Sequence, residues 1–254
     1  MAGEVPSLTP GRPDIAADRD RLWDVISNGG IAIVPTNLGY GLSACTVESV
    51  NRINEAKGRG AHKRNGMLMG FAIEPELHIL DSHQRDIVDC VTRDYNLPLG
   101  VIAPYRADHP ILQNIDPAIL KTCTARGTMS TALNTGGPFN EHIARLSLEH
   151  LRPVFGSSAN LTGQGGKVRV EDIEPEIIAI ADLVLDYGLA PLHHYKIAST
   201  QINFATMKVN RYGAFYDVIS DIMKRHFDWD LPVDPGREVS PHGLVNEFEL
   251  RGVD

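Results

Sequence analysis

Apolar and polar positions alternate along the chain in a way that predicts short buried strands separated by amphipathic helices. Ala16 to Ser27 carries Leu22, Val25 and Ile26 at helical spacing and ends at Gly29-Gly30, a plausible helix stop. Ile31 to Val34 then reads as a buried strand halted by Pro35. Thr46 can cap a helix through Lys57 with Val50, Ile53 and Ala56 on one face, and Ser82 can cap another through Thr92. Further strands are expected at Met67 to Ala72, Gly100 to Ala103, Thr128 to Leu133, Val154-Phe155, Leu183 to Leu185 and Thr200 to Phe204. Helices are expected from Pro138 and over Phe215 to Lys224. This alternation predicts an α/β or mixed α+β domain with helices flanking a twisted sheet. The domain is expected over 14–226, between a loose, Pro- and Gly-rich arm (1–13) and a proline-bearing C-terminal tail (227–254) of undetermined role.

With 254 residues, 43% of them hydrophobic and 22% charged, the composition is that of an ordinary soluble globular chain. No apolar run reaches the roughly 20 residues of a membrane span, and the N-terminus lacks a signal-peptide core, so a cytoplasmic location is expected. Cys45, Cys90 and Cys123 lie far apart and form no CxxC pair. The ten histidines show no HExxH, and no protein-held metal is expected. A net charge of -8 argues against direct RNA binding, while leaving room for a local basic pocket.

Four stretches stand out chemically. Pro35-Thr36-Asn37-Leu38-Gly39-Tyr40-Gly41-Leu42 delivers a hydroxyl, an amide and two glycines from a strand end, where ligands are commonly held; a plain turn accounts for it equally well. Lys57-Gly58-Arg59 with His62, Lys63 and Arg64 packs five potential cations into eight residues of an acidic protein. A helix dipole explains one or two of these, so an anion site for phosphate or carboxylate is the preferred reading. Ser157-Ser158-Ala159-Asn160-Leu161-Thr162-Gly163 follows another strand and can turn N–H groups toward an anion, but fits neither the P-loop nor the nucleophile elbow. Ser199-Thr200-Gln201-Ile202-Asn203 and Val209-Asn210-Arg211-Tyr212-Gly213 read as a hairpin, whether or not they bind a ligand.

Together these stretches resemble, in order, the motifs of the YrdC-like threonylcarbamoyl-AMP synthase family. Pro35 to Leu42 is similar to the family's P-T-[ED]-T-x-Y-G-L, Lys57-Gly58-Arg59 to K-x-R, and Ser158 to Gly163 to S-A-N-x-S-G. Asp182 to Gly188 is similar to D-L-I-L-D-G-G, Ser199-Thr200 to the start of S-T-V-V-D, and Arg211 to Ala214 to R-P-G-A. The resemblance implies a YrdC/RibB-type twisted mixed sheet with a large basic cavity. It also implies condensation of L-threonine, bicarbonate and ATP, with Mg2+, to threonylcarbamoyl-adenylate and pyrophosphate for tRNA modification. By resemblance Lys57 and Arg59 are catalytic, and Lys57, Arg59, Lys63, Thr128, Asn160 and Arg211 contact ATP. Thr36, Ser158 and Ser199 would face the amino acid. Nucleotide, amino acid and bicarbonate are the expected partners, and homodimerisation is left open. The chain departs from the pattern at Asn37, Leu38 and Ala132; at the last the family carries an Arg that contacts the amino acid. The nucleotide half of the motifs is thus better kept than the acceptor half. A divergent enzyme with another acceptor, or a silent nucleotide-binding module, are the alternatives.

Overall fold

The computed structural model describes residues 12–58, 65–113, 115–241 and 243–245. Its first half runs α1 (Ile15–Ser27), β1 (Ala32–Pro35), β2 (Tyr40–Ala44), α2 (Val47–Ala56), β3 (Gly66–Met67), α3 (Gly70–Leu77), α4 (Ser82–Asp89), β4 (Leu99–Pro104), α5 (Pro110–Gln113), α6 (Pro117–Cys123) and β5 (Thr124–Ala125). There follow β6 (Thr128–Leu133), α7 (Asn140–Glu149), β7 (Phe155–Ser158), α8 (Pro175–Ile178), β8 (Leu183–Val184), β9 (Thr200–Asn203), β10 (Lys208–Arg211) and α9 (Tyr216–Phe227).

The strands form two five-stranded mixed sheets rather than one, in the orders β3-β7-β2-β1-β8 and β10-β9-β4-β6-β5. One pairing in each is parallel, β1 with β8 and β4 with β9. β1 is buried on both faces: Ile31 and Ile33 join the core under α2 and α3, whereas Ala32 and Val34 join Leu22 and Ile26 of α1 and Ile143 of α7. The second sheet packs Leu99, Val101, Leu133 and Ile202 against α4 and α9, through Ile87, Val88, Ile219, Ile222 and Met223. At roughly 1.5–3 kcal/mol for each large side chain removed from water, these three clusters dominate the favourable side of folding. Two capping boxes start their helices cleanly, Thr46 with Ser49 on α2 and Asp81 with Gln84 on α4.

Three expectations change. Met67 to Ala72 is not a strand: pairing stops at Met67, and Gly70, with φ +52°, turns the chain into α3. A short continuous apolar run does not distinguish a buried strand from a buried helix, and the i, i+4 pair Ile73 and Leu77 decides for the helix. Tyr40 to Ala44 is a strand rather than part of a loop, pairing with both β1 and β7. The cap of α4 is Asp81, not Ser82, and a π turn over Cys90–Asp94 follows its last helical residue. The tail, as far as it is described, lies on the domain. Trp229 and Leu231 pack on the second-sheet core, the Tyr216 hydroxyl donates to the Pro232 carbonyl, and Arg211 bridges to Leu244.

Gly100 at the centre of the second sheet shows how the fold prepares the site. It pairs with Ala132 on one side and Gln201 on the other. Lacking a side chain, it lets Gln201 lie across β4, so that its Nε2 donates to Ser130 Oγ on β6 at 3.0 Å. Adjacent strands are about 4.8 Å apart, so this bond spans two inter-strand spacings. A Cβ at position 100 would stand 2.9 Å from Cβ and Cγ of Gln201. An alanine in an open strand position usually stabilises, but Gly100→Ala here is expected to cost about 1–3 kcal/mol by overpacking. Urea denaturation measures this, and unchanged or increased stability would contradict the crossing.

Candidate functional site

A cavity of about 480 Å3 opens between the two sheets. The first sheet contributes the Thr36–Gly39 turn, β2, β3 and the end of β7; the second contributes Ser130 and Ala132 of β6, Gln201 of β9 and Arg211 of β10. Pro241 and Leu244 of the tail complete the wall.

Thr36, Ser158, Asn160, Ser199 and Arg211, drawn from three separated stretches of the sequence, all line this one cavity. Their chemical availability differs. The Thr36 hydroxyl donates to the Gly39 carbonyl at 2.8 Å and accepts from Leu38 N–H at 3.2 Å, so it closes its own turn and keeps one acceptor lone pair. Gly39 is required there, because a Cβ would meet the Lys167 carbonyl oxygen at 2.5 Å. Asn160 is also committed: its amide donates to the Leu161 carbonyl and its Oδ1 lies 3.5 Å from the Lys57 ammonium. The Ser158 and Ser199 hydroxyls make no hydrogen bond among the described residues.

Lys57 reaches the site indirectly. It is 3% exposed and does not line the cavity; its ammonium donates to the backbone carbonyls of Ser158 and Asn160. Its own carbonyl accepts from Thr162 N–H at 3.2 Å, so one residue at the end of α2 pins both ends of the loop after β7. With these carbonyls drawn back toward a cation, the loop's outer side is left to N–H groups and short side chains. Thr128 is not among the lining residues; its hydroxyl donates to the Ala125 carbonyl at 2.7 Å in the β5–β6 turn. Arg59 and Lys63 lie outside the described residues.

The electrostatics are one-sided. Lys196 and Arg211 line the cavity, and among the described residues no carboxylate does. Arg211 Nε donates to the Ser199 carbonyl at 2.9 Å, which fixes the guanidinium in place, and no described carboxylate lies within ion-pair distance of it. Burial pushes its pKa down to about 10, so it is still charged at neutral pH. Lys167, in contrast, is neutralised by Glu174 at 2.6 Å. A cation partly withdrawn from water without a counter-ion costs folding energy that an anionic ligand would return. Among the described residues no three His, Cys, Asp or Glu side chains cluster so as to hold a metal ion.

Several site residues were invisible to motif reading. Lys196 occupies a loop with no periodic or compositional signal, and only the fold brings it to the cavity. Gln201 is held from behind by Asn210, whose amide donates to Gln201 Oε1, giving a line of side chains from β10 to β6. Asn37, where the resembled motif is acidic, accepts from Gly137 N–H at 3.2 Å, and the turn at Gly136-Gly137 wraps its side chain too closely for any Cβ at 136. Its amide ties two cavity-bordering loops together.

The architecture, two mixed sheets with flanking helices around a cavity lined by cations, is a mixed α+β fold of the YrdC type. A hypothetical protein from Streptococcus mutans UA159, smu.1377c, shares it at 21% identity and a TM-score of 0.68, over 82% of this chain and 91% of that one. P. abyssi Sua5, solved in complex with L-threonine, shares it at 19% identity and a TM-score of 0.59; the match covers 87% of this chain and 61% of that longer one. E. coli YciO follows at 15% identity and a TM-score of 0.52, over 76% and 86%. At such identities the likeness is one of fold. No protein-family model matches the chain, and no curated protein matches it in sequence.

If the cavity is an anion site, Arg211→Met should leave the unliganded protein at least as stable as wild type, because an uncompensated charge is removed. The same variant should lose the rise in Tm that ATP at millimolar concentration gives the wild type. Thermal melts with and without ATP check both; a variant that keeps the ATP-dependent rise would contradict the assignment.

Proposed function

We propose that the chain is an ATP-dependent adenylate-forming enzyme of the nucleotidyltransferase type, working as the resembled threonylcarbamoyl-AMP synthases do. The observation that carries this is the gathering of motif residues from distant stretches around one cavity, where the two cations among the described lining residues face no described carboxylate. The fold it shares with a protein solved with L-threonine bound adds support.

In this reading bicarbonate and the amino group of an amino acid give a carbamate with loss of water, and the carbamate oxygen attacks the α-phosphorus of ATP. The bond to the β-phosphate oxygen breaks and pyrophosphate leaves. Little covalent work falls to the protein, so positioning and charge neutralisation carry the rate. Arg211 neutralises phosphate charge, the loop held by Lys57 presents Ser158 and Asn160, and Ser199 faces the acceptor. Arg59 and Lys63 take phosphate roles on the strength of the resemblance. The lining residues offer hydroxyls, amides and cations but no described carboxylate, so Mg2+ would be held by the nucleotide's own phosphates, whose charge it would offset. Among the described residues no helix is long and apolar enough to cross a membrane; the reading places the enzyme in the cytoplasm, supplying an adenylate for tRNA modification.

Ala132 favours a second reading, in which the acceptor is not threonine. It lines the cavity at the position where the resembled motif carries an Arg, and a charge-assisted contact of roughly 1.5–3 kcal/mol is thereby missing.

Pyrophosphate release from ATP and bicarbonate, with and without L-threonine, tests the proposal. Threonine-dependent release is expected. Release that requires another amine or acid would move the reading to the second acceptor. Saturable ATP binding without release under any acceptor would leave a binding module, and the absence of ATP binding would overturn the nucleotide assignment. Lys57→Ala, confirmed folded by circular dichroism, should lower kcat/KM at least tenfold; wild-type turnover would contradict the loop-holding role.

A further inference from the structure

Of the two described residues that bring a cation to the cavity, Arg211 has a role in the reading above and Lys196 has none. Its backbone is unusual. Lys196 adopts the left-handed conformation, φ +50° and ψ +24°, which a side chain other than glycine's or asparagine's rarely takes. The turn before it enforces this. Residues His193–Tyr195 form one turn of 3-10 helix, Lys196 N–H donates to the His193 carbonyl at 3.2 Å, and His193 N–H donates to Ala190 O at 3.1 Å. Tyr195 is gripped between His194, at 4.3 Å between ring centroids, and Phe215, at 4.6 Å. A strained residue held by that much surrounding structure is the pattern seen where backbone strain serves a site.

Lys196 is exposed and lines the cavity wall together with Ile197, Ala198 and Ser199. It makes no ion pair with any described carboxylate. The segment 196–199 thus presents, within four residues, a compact ammonium and a hydroxyl with no other described hydrogen bond, with the Ser199 carbonyl turned away to hold Arg211. With Arg211, whose planar fork matches phosphate oxygens, assigned to the nucleotide, the single compact ammonium of Lys196 is left for a small carboxylate. Across the cavity, Ala132 offers no charge.

We propose that Lys196 binds the α-carboxylate of an amino-acid acceptor, supplying from the β9 side the cation that Ala132 does not supply from β6. This rests on the adenylate-forming reading and names the residue that contacts its acceptor. The role is one of substrate binding and acceptor selection.

Equilibrium binding on the full chain tests it, with ATP and each of the twenty L-amino acids as probes, on wild type, Lys196→Gly and Lys196→Arg. Glycine takes the left-handed conformation freely, so Lys196→Gly removes the charge without threatening the fold, and its Tm should not fall. The expected result is that wild type binds at least one amino acid, Lys196→Gly weakens that binding at least tenfold, Lys196→Arg retains most of it, and ATP affinity changes less than threefold. A tenfold loss of ATP affinity with amino-acid binding intact would assign Lys196 to phosphate and overturn the proposal. Unchanged binding of both probes by Lys196→Gly would overturn it as well. Wild type that binds ATP but none of the twenty would overturn the amino-acid acceptor while leaving nucleotide use standing. Wild type that binds neither would end the enzyme reading itself.

Discussion

The guanidinium of Arg211 stands at the wall of a cavity with no described carboxylate in reach, and much of the surrounding structure serves to keep it there. Its Nε is tied to the Ser199 carbonyl, and its strand is tied to the neighbouring one by the Asn210 amide on Gln201. Gln201 reaches Ser130 only because Gly100 has no side chain. The C-terminal tail closes the same corner: Tyr212 N–H donates to the Gly243 carbonyl at 2.7 Å, and Arg237 donates to Tyr212 O at 2.9 Å while pairing with Asp234. A cation held this rigidly and left unpaired lowers stability until an anion arrives, and such a cost is characteristic of sites rather than of cores.

On the opposite wall the cation works differently. Lys57 is enclosed and spends its ammonium on two backbone carbonyls of the loop after β7, so a residue singled out for direct phosphate contact supports a loop that would make the contact. One charge faces the cavity and the other shapes the loop that lines it. The Thr36 hydroxyl follows the same economy, closing its turn with both a donated and an accepted bond. Residues that carry a motif can therefore be required for geometry as much as for touching a substrate.

Much of the fold was legible because its signals are local. Thr46 caps α2, β1 ends at Pro35, and the hairpin of β9 and β10 forms where two strand-like runs flank a short connection. What failed was whatever a neighbouring element decides over the local signal. Tyr40 to Ala44 becomes a strand because β1 and β7 lie on either side of it, and the run after Met67 becomes a helix because Gly70 turns it onto α7. The division into two sheets has no local signature at all. Of the site, Thr36, Ser158, Asn160, Ser199 and Arg211 could be named from ordered motifs, whereas Lys196, Gln201 and the tail residues Pro241 and Leu244 reach the cavity only through the fold. Thr128 shows the reverse: its strand was placed correctly, but its side chain sits in the turn before the cavity begins.

An anion site organised around Arg211 in the space between the two sheets must take the phosphates of a nucleotide. A crystal structure of the full chain with a non-hydrolysable ATP analogue tests it most directly. Phosphate oxygens are expected within hydrogen-bonding distance of the Arg211 guanidinium, with the loop 158–163 against the same nucleotide. Nucleotide bound elsewhere on the molecule, with Arg211 facing only water, would contradict it.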